Sequence, residues 1–125
     1  MNKALLVSFV FIVANSTCSN VLAQKAAEQF IPLGQSPGLS GVSTLVGTIR
    51  AVDTASNTIT IDLDKGGIAV IGMGPSTRIW VDLAAAHKSN HAGSLVNLLP
   101  GLKLEAMPKR DKPNQAEWLK VKAPE

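Results

Sequence analysis

Two histidines and a methionine are the residues whose types and spacing first suggest chemistry. His87 and His91 are four residues apart in a stretch whose composition favours a helix, so both side chains can share one face. Imidazole nitrogens bind transition metals, and the thioether of Met73 suits soft ions. We therefore take His87, His91 and Met73 as candidate metal ligands, with Asp82 and Met107 as further donors. The alternative, which the polar neighbours at positions 88–90 favour, is that both histidines are ordinary surface residues.

The two tryptophans form a second candidate site. A period of two places Trp80 on the same face as Arg78, and Trp118 on the same face as Lys120. Outward indole rings beside cations can stack a base, a sugar or a cation. The alternative, which we favour, is that each ring covers a barrel end, the helix or the N-terminal leader, since a large apolar ring rarely stays exposed.

A short basic loop adds cations to this face. Lys109, Arg110 and Lys112 lie between Pro108 and Pro113, whose fixed φ angles stiffen the loop. A loop between the last two strands of a small barrel is a common ligand contact, whereas a charged hairpin tip is most often only solvated. The predicted ligand-binding residues are Arg78, Trp80, Lys109, Arg110, Lys112 and Trp118.

Catalysis is not indicated, and we predict no catalytic residue and no enzyme. There is no Gly-x-Ser-x-Gly nucleophile motif, no phosphate-binding loop and no cysteine after Cys18. We expect no cofactor, with a copper or silver ion as the alternative. The formal charge of +3 over 125 residues neutralises few phosphates, which argues against high-affinity nucleic-acid binding.

Residues 1–23 have the pattern of a signal peptide. Lys3 is followed by an apolar run and by small residues before Gln24, so cleavage is expected between Ala23 and Gln24. The mature chain is then periplasmic or secreted, with no transmembrane helix. Lipidation at Cys18 is the alternative, but Asn15 stands where a lipobox requires leucine or a similar residue.

The remainder divides into a leader and one small domain. Residues 24–41 lack a sustained period and are rich in glycine and proline, which is typical of a flexible leader. Residues 42–125 alternate between apolar and polar positions, with an alanine-rich, helix-compatible segment over 83–92 and a second short helical turn or coil over 94–99. We predict strands at residues 45–52, 58–63, 68–71, 77–81, 102–106 and 116–121.

This order favours an all-β fold. Five or six short strands with one short helical insertion before the final hairpin match an OB-like barrel, which removes strand edges by closure.

Three short segments resemble those of two known groups of proteins. Residues 47–53 read GTIRAVD, residues 57–61 read NTITI, and residues 98–104 read LLPGLKL. This layout is similar to small exported barrel domains of unknown function and to the CusF-like periplasmic copper- and silver-binding proteins. The resemblance implies the fold. In CusF-like proteins a Met-x-Met pair, a histidine and a tryptophan hold the metal, whereas the corresponding residues 73–80 here contain one methionine and one tryptophan.

These observations predict an exported, non-catalytic binding or accessory module. Its partner is another envelope protein or a small ligand. One alternative is a periplasmic copper- or silver-binding protein, and another is a structural subunit whose tryptophan patches form a protein–protein interface.

Overall fold

A computed structural model describes residues 28–124. The predicted signal peptide at 1–23, the cleavage site and residues 24–27 of the predicted leader lie outside the described residues.

The described chain is mostly β, as predicted. Every predicted strand is present, together with a short strand, β5, that the sequence did not indicate. The strands are β1 (Leu45–Asp53), β2 (Thr58–Leu63), β3 (Ile68–Gly72), β4 (Arg78–Asp82), β5 (His91–Ala92), β6 (Lys103–Pro108) and β7 (Ala116–Lys122). The only helical segments among residues 28–124 are three 3-10 turns, Glu28–Phe30, Ala84–Ala86 and Leu95–Asn97.

All seven strands belong to one sheet in the order β3-β2-β1-β6-β7-β4-β5. Neighbouring strands are antiparallel, except that β4 runs parallel to β7. The sheet must curl to bring its β3 edge back towards β4 and β7. Only residues 73–77 join β3 to β4, and Gly72 at the end of β3 forms a bridge to Gln115, just before β7. The strand pairing does not close, so the predicted barrel is corrected to a curled, open sheet with edges at β3 and β5.

The hydrophobic core lies on the inner face of this curl. The alternation of β2 shows why: Ile59 and Ile61 are fully buried, whereas Thr58 and Thr60 between them are partly exposed. Burying one such side chain contributes about 1.5–3 kcal/mol relative to leaving it in water. The core residues are Ile49, Ile59, Ile61, Ile71, Val81, Leu98, Leu104, Ala106, Ala116, Leu119 and Val121.

The helix predicted over residues 83–92 does not form, and this part of the prediction was wrong, whereas the short helical turn expected within 94–99 is present as the 3-10 turn Leu95–Asn97. The 3-10 turn that starts the segment ends at His87, which adopts a left-handed conformation with φ of 56°. The backbone N–H of Asn90 donates to the carbonyl of Gln29 (2.9 Å), and His91–Ala92 then pair with β4. These tertiary bonds outweigh the helix preference of alanine.

Asp53 closes the turn between β1 and β2. Its Oδ1 accepts the N–H groups of Ser56 (3.3 Å) and Ala55 (2.9 Å). These hydrogen bonds, that of Ser56 foremost, hold the pKa of Asp53 below its usual value of 3.8. The stabilisation from the charged form is therefore present above the unfolded pKa and is lost as pH falls through the lower folded pKa. We expect NMR titration of this carboxyl group to give a midpoint below 3.8; a higher midpoint would contradict the turn geometry.

Candidate functional site

The outer faces of β6, β7 and β4 carry the predicted tryptophan site. Strand register places Glu105, Lys120 and Trp80 side by side in one row across the three strands. Trp118 lies in the next row, opposite Arg78. The neighbouring Ile79, Val81, Leu119 and Val121 all contribute to the core or pack against it, as predicted. Both tryptophans therefore face away from the core.

Both tryptophan rings are nevertheless buried. Trp80 is 9% exposed and Trp118 is 4% exposed. Residues 28–44, which we call the strap, are hydrogen-bonded to the polar side chains that share this face. The expectation that these tryptophans form an exposed face is therefore corrected. The favoured alternative was that each ring is covered by a barrel end, the helix or the leader, and the low exposure of both rings agrees with cover.

Glu105 anchors the centre of the strap. It is completely buried. One carboxylate oxygen accepts the backbone N–H of Gly34 (2.9 Å), and the other accepts the hydroxyls of Ser40 (2.6 Å) and Thr44 (2.8 Å). Three hydrogen bonds from the strap therefore satisfy a carboxylate that would be costly to bury alone.

Glu28 and Lys120 form a second anchor. The Lys120 ammonium lies 2.6 Å from Glu28 Oε2, and their side chains are 0% and 1% exposed. The Ser36 hydroxyl lies 3.0 and 2.9 Å from the two Glu28 oxygens, and Lys120 Nζ lies 4.9 Å from the centre of the Trp118 ring. The buried Lys120 ammonium therefore has both a carboxylate partner and an aromatic ring, and the carboxylate also accepts a hydrogen bond from Ser36.

Asp82 and Asn90 hold the start of the strap at the far end of β4. Asp82 Oδ2 accepts the backbone N–H of Leu33 (3.0 Å). The Asn90 amide donates to the carbonyls of Glu28 (3.0 Å) and Ile31 (2.8 Å). Residues 28–40 are therefore hydrogen-bonded at several points to Asp82, Asn90 and Glu105.

The sequence did not single out the buried charges. Period two correctly placed Lys120 beside Trp118, but charged residues at outward positions are normally solvated. No pattern in residues 28–44 indicated that Glu28 would meet Lys120. One weak signal was present: the segment combines glycines and prolines with serine and threonine hydroxyls, which can donate hydrogen bonds to a buried carboxylate.

The predicted cations lie together at one end of the sheet, which we call the basic end: Arg78, Lys109, Arg110 and Lys112. Arg78 begins β4, and the other three belong to the β6–β7 loop. That loop lies against the β3–β4 link, because Lys109 Nζ donates to the Ser76 hydroxyl at 2.7 Å. Lys109 is partly exposed and the other three are exposed.

The structure does not bring the three predicted metal ligands together. Met73 precedes β4 and packs against the core, whereas His91 pairs with Val81 near the other end of that strand. His87 lies beyond that same end. A strand rises about 3.3 Å per residue, so the length of β4 separates Met73 from both histidines.

The histidines are exposed side chains. The Nδ1 atom of His91 lies 2.8 Å from the carbonyl oxygen of Ala92, and His87 occupies the end of a 3-10 turn. Within residues 28–124, no group of three or more His, Cys, Asp or Glu side chains is placed to hold a metal ion. Metal binding by this chain stays a prediction.

The described part of the chain contains no helix long and apolar enough to cross a membrane.

Comparison with known proteins gives one distant structural similarity. No protein-family model and no curated protein matches the chain. Among solved structures, the chain is similar to a copper(II) form of CusF from Escherichia coli in which a tryptophan is replaced by alanine. The identity is 15% and the TM-score 0.42, over 62% of this chain and 88% of that one. The chain is thus similar to a CusF-like protein at low identity and over part of its length.

Proposed function

We propose that this chain is a non-catalytic binding module of the bacterial cell envelope that engages an acidic partner protein through its basic end. The observation that carries the proposal is the convergence of Arg78, Arg110 and Lys112 as exposed cations beside Lys109, while the tryptophan face is covered. The signal-peptide pattern of residues 1–23 supports the envelope location.

The basic end is suited to recognition of a surface. Asp111 is the single acid in the loop, against its three cations Lys109, Arg110 and Lys112. The proline at each end of the loop and the Lys109–Ser76 hydrogen bond restrict its motion, which lowers the entropy lost on binding. A cluster of exposed positive charges also accelerates the approach of an acidic partner, and salt weakens that attraction.

The proposal is tested with a fluorescent oligoglutamate peptide as a defined acidic probe. The variant Arg78→Gln/Arg110→Gln/Lys112→Gln removes three cations from the basic end. Lys65→Gln/Lys88→Gln/Lys122→Gln removes three exposed cations elsewhere and leaves the net charge of the two variants equal. We expect fluorescence anisotropy to show at least tenfold weaker binding for the first variant, and a change of less than threefold for the second.

Two outcomes contradict the proposal. Equal losses in both triple variants would show that only net charge matters. Tighter binding of a labelled single-stranded oligonucleotide than of the peptide, at the same salt concentration, would identify nucleic acid as the partner instead.

A further inference from the structure

The edge strand β3 lacks the charges and prolines with which proteins often block an exposed edge. It pairs with β2 on one side only. Residues 66–74 read GGIAVIGMG and contain neither a charge nor a proline. Ile68 and Val70 are 55% and 60% exposed. An uncharged edge with exposed β-branched side chains favours pairing with another strand.

Hydrogen bonds at both ends of the β2–β3 hairpin define which backbone groups β2 uses. Leu63 N–H donates to the Gly67 carbonyl (3.0 Å), and Met73 N–H donates to the Asn57 carbonyl (2.7 Å). In an antiparallel pair the hydrogen-bonded residues alternate along each strand. The odd-numbered residues of β3 therefore direct their backbone N–H and C=O groups towards β2.

The even-numbered residues of β3 therefore direct their N–H and C=O groups away from the sheet. Gly72 confirms this direction, because its N–H donates outward to the Asn114 carbonyl at 2.7 Å. That bond occupies the edge at Gly72. The open part of the edge is formed by the backbone groups of Ile68 and Val70, on either side of Ala69.

We infer that β3 pairs antiparallel with β3 of a second copy of this chain, about a two-fold axis at Ala69. In this register Ile68 lies opposite Val70 of the second copy, and the reverse pair follows by symmetry. Each pair exchanges two backbone hydrogen bonds, which satisfies all four open groups on each copy. The exposed side chains of Ile68 and Val70 also meet across the axis as β-branched pairs.

A second copy fits this edge better than an unrelated strand. The open stretch has one residue on each side of Ala69. When two copies pair antiparallel about that residue, the open backbone groups of Ile68 in one copy therefore lie opposite those of Val70 in the other. The edge has no charge that would repel its own copy. The contact is smaller than the roughly 1,600 Å² of a standard interface, so we expect a weak, reversible dimer with a dissociation constant of about 10–500 μM.

Sedimentation velocity over a concentration series tests the dimer. Val70→Lys places a charge in the open part of the edge, and Val96→Lys makes the same change at a residue that lies outside β3 and is 78% exposed. We expect Val70→Lys to weaken dimerisation at least tenfold, while Val96→Lys changes it less than twofold. Far-ultraviolet circular dichroism checks that both variants are folded.

A cross-link tests the register. In the Cys18→Ser chain, Ala69→Cys brings two sulfurs together at the axis, where opposed Cα atoms of a non-bonded pair lie about 4.5 Å apart, within disulfide range. Ala92→Cys on the other edge strand is the control. We expect mild oxidation to give a covalent dimer of Ala69→Cys only. A monomer at all concentrations up to 1 mM (about twice the weakest expected constant), equal effects of the two lysine substitutions, or equal cross-linking of the two cysteine variants would each overturn the proposal.

Discussion

Gly47→Ala is expected to destabilise the protein by more than about 3 kcal/mol, which is a large part of the stability of a domain this small. Gly47 is buried in β1 between Leu63 of β2 and Leu104 of β6. A Cβ atom here would clash with the carbonyl oxygen of Asp62 and lie 2.8 Å from both the carbonyl carbon and Ile61 Cγ2. The backbone of β2 cannot move away without breaking its own pairing.

Gly74→Ala is the matched control for this substitution. A Cβ atom at Gly74 would lie 3.4 Å from Gln115 Oε1, which is ordinary contact with the end of a flexible side chain. We expect this variant to change the free energy of unfolding by less than about 1 kcal/mol. Urea unfolding of both variants measures the difference, and similar midpoints would show that β1 and β2 do not approach each other as described.

Lys120→Met is expected to cost about 3–5 kcal/mol, because it leaves the Glu28 carboxylate buried without its counter-charge. Glu28→Gln should also destabilise, since it leaves the ammonium buried. The double variant should lose much less than the sum of the two, because neither charge then remains. Lys122→Met is the control: the same chemical change, two residues along the same strand, at an exposed position.

A double-mutant cycle from urea unfolding separates these contributions. We expect a coupling energy of at least about 2 kcal/mol between Glu28 and Lys120. Additive losses would mean that the two side chains do not interact.

The position of Glu28 suggests a second readout for Lys120→Met. If the strap detaches, Glu28 returns to water, so the measured cost of Lys120→Met cannot exceed the free energy of detaching the strap. Limited proteolysis of the Lys120→Met variant should then cut within residues 28–44 before it cuts the sheet. Cleavage of the sheet first would show that the strap and sheet unfold together.

Period-two patterning was sufficient to predict most of the sheet. In β2, Thr58–Leu63 alternate without interruption, and no competing local signal exists. The pairing of β4 with β7 was not predictable in the same way. The two strands are far apart in the chain and run parallel, so their contact depends on how the whole sheet curls.

The segment that follows β4 shows a limit of local propensity. Its alanines favour a helix, but Asn90 has three hydrogen bonds to residues about sixty positions earlier. No window of ten or fifteen residues around Asn90 contains those partners. The burial of Lys120 has the same cause, because its carboxylate partner is 92 residues away. For the candidate site, residue type, face and the cover of the tryptophans were predictable, but the segment that bonds to this face and the buried ion pair beneath it were not.

The burial of Lys120 makes this side chain a chemical indicator of strap opening. Amine-acylating reagents require access to the nitrogen, and Lys120 is completely covered while Lys122, on the same face of the same strand, is exposed. The ratio of acylation at these two positions, read by mass spectrometry of one peptide, reports how often the strap leaves the sheet. Any molecule that displaces the strap would raise that ratio, and any molecule that holds it down would lower it.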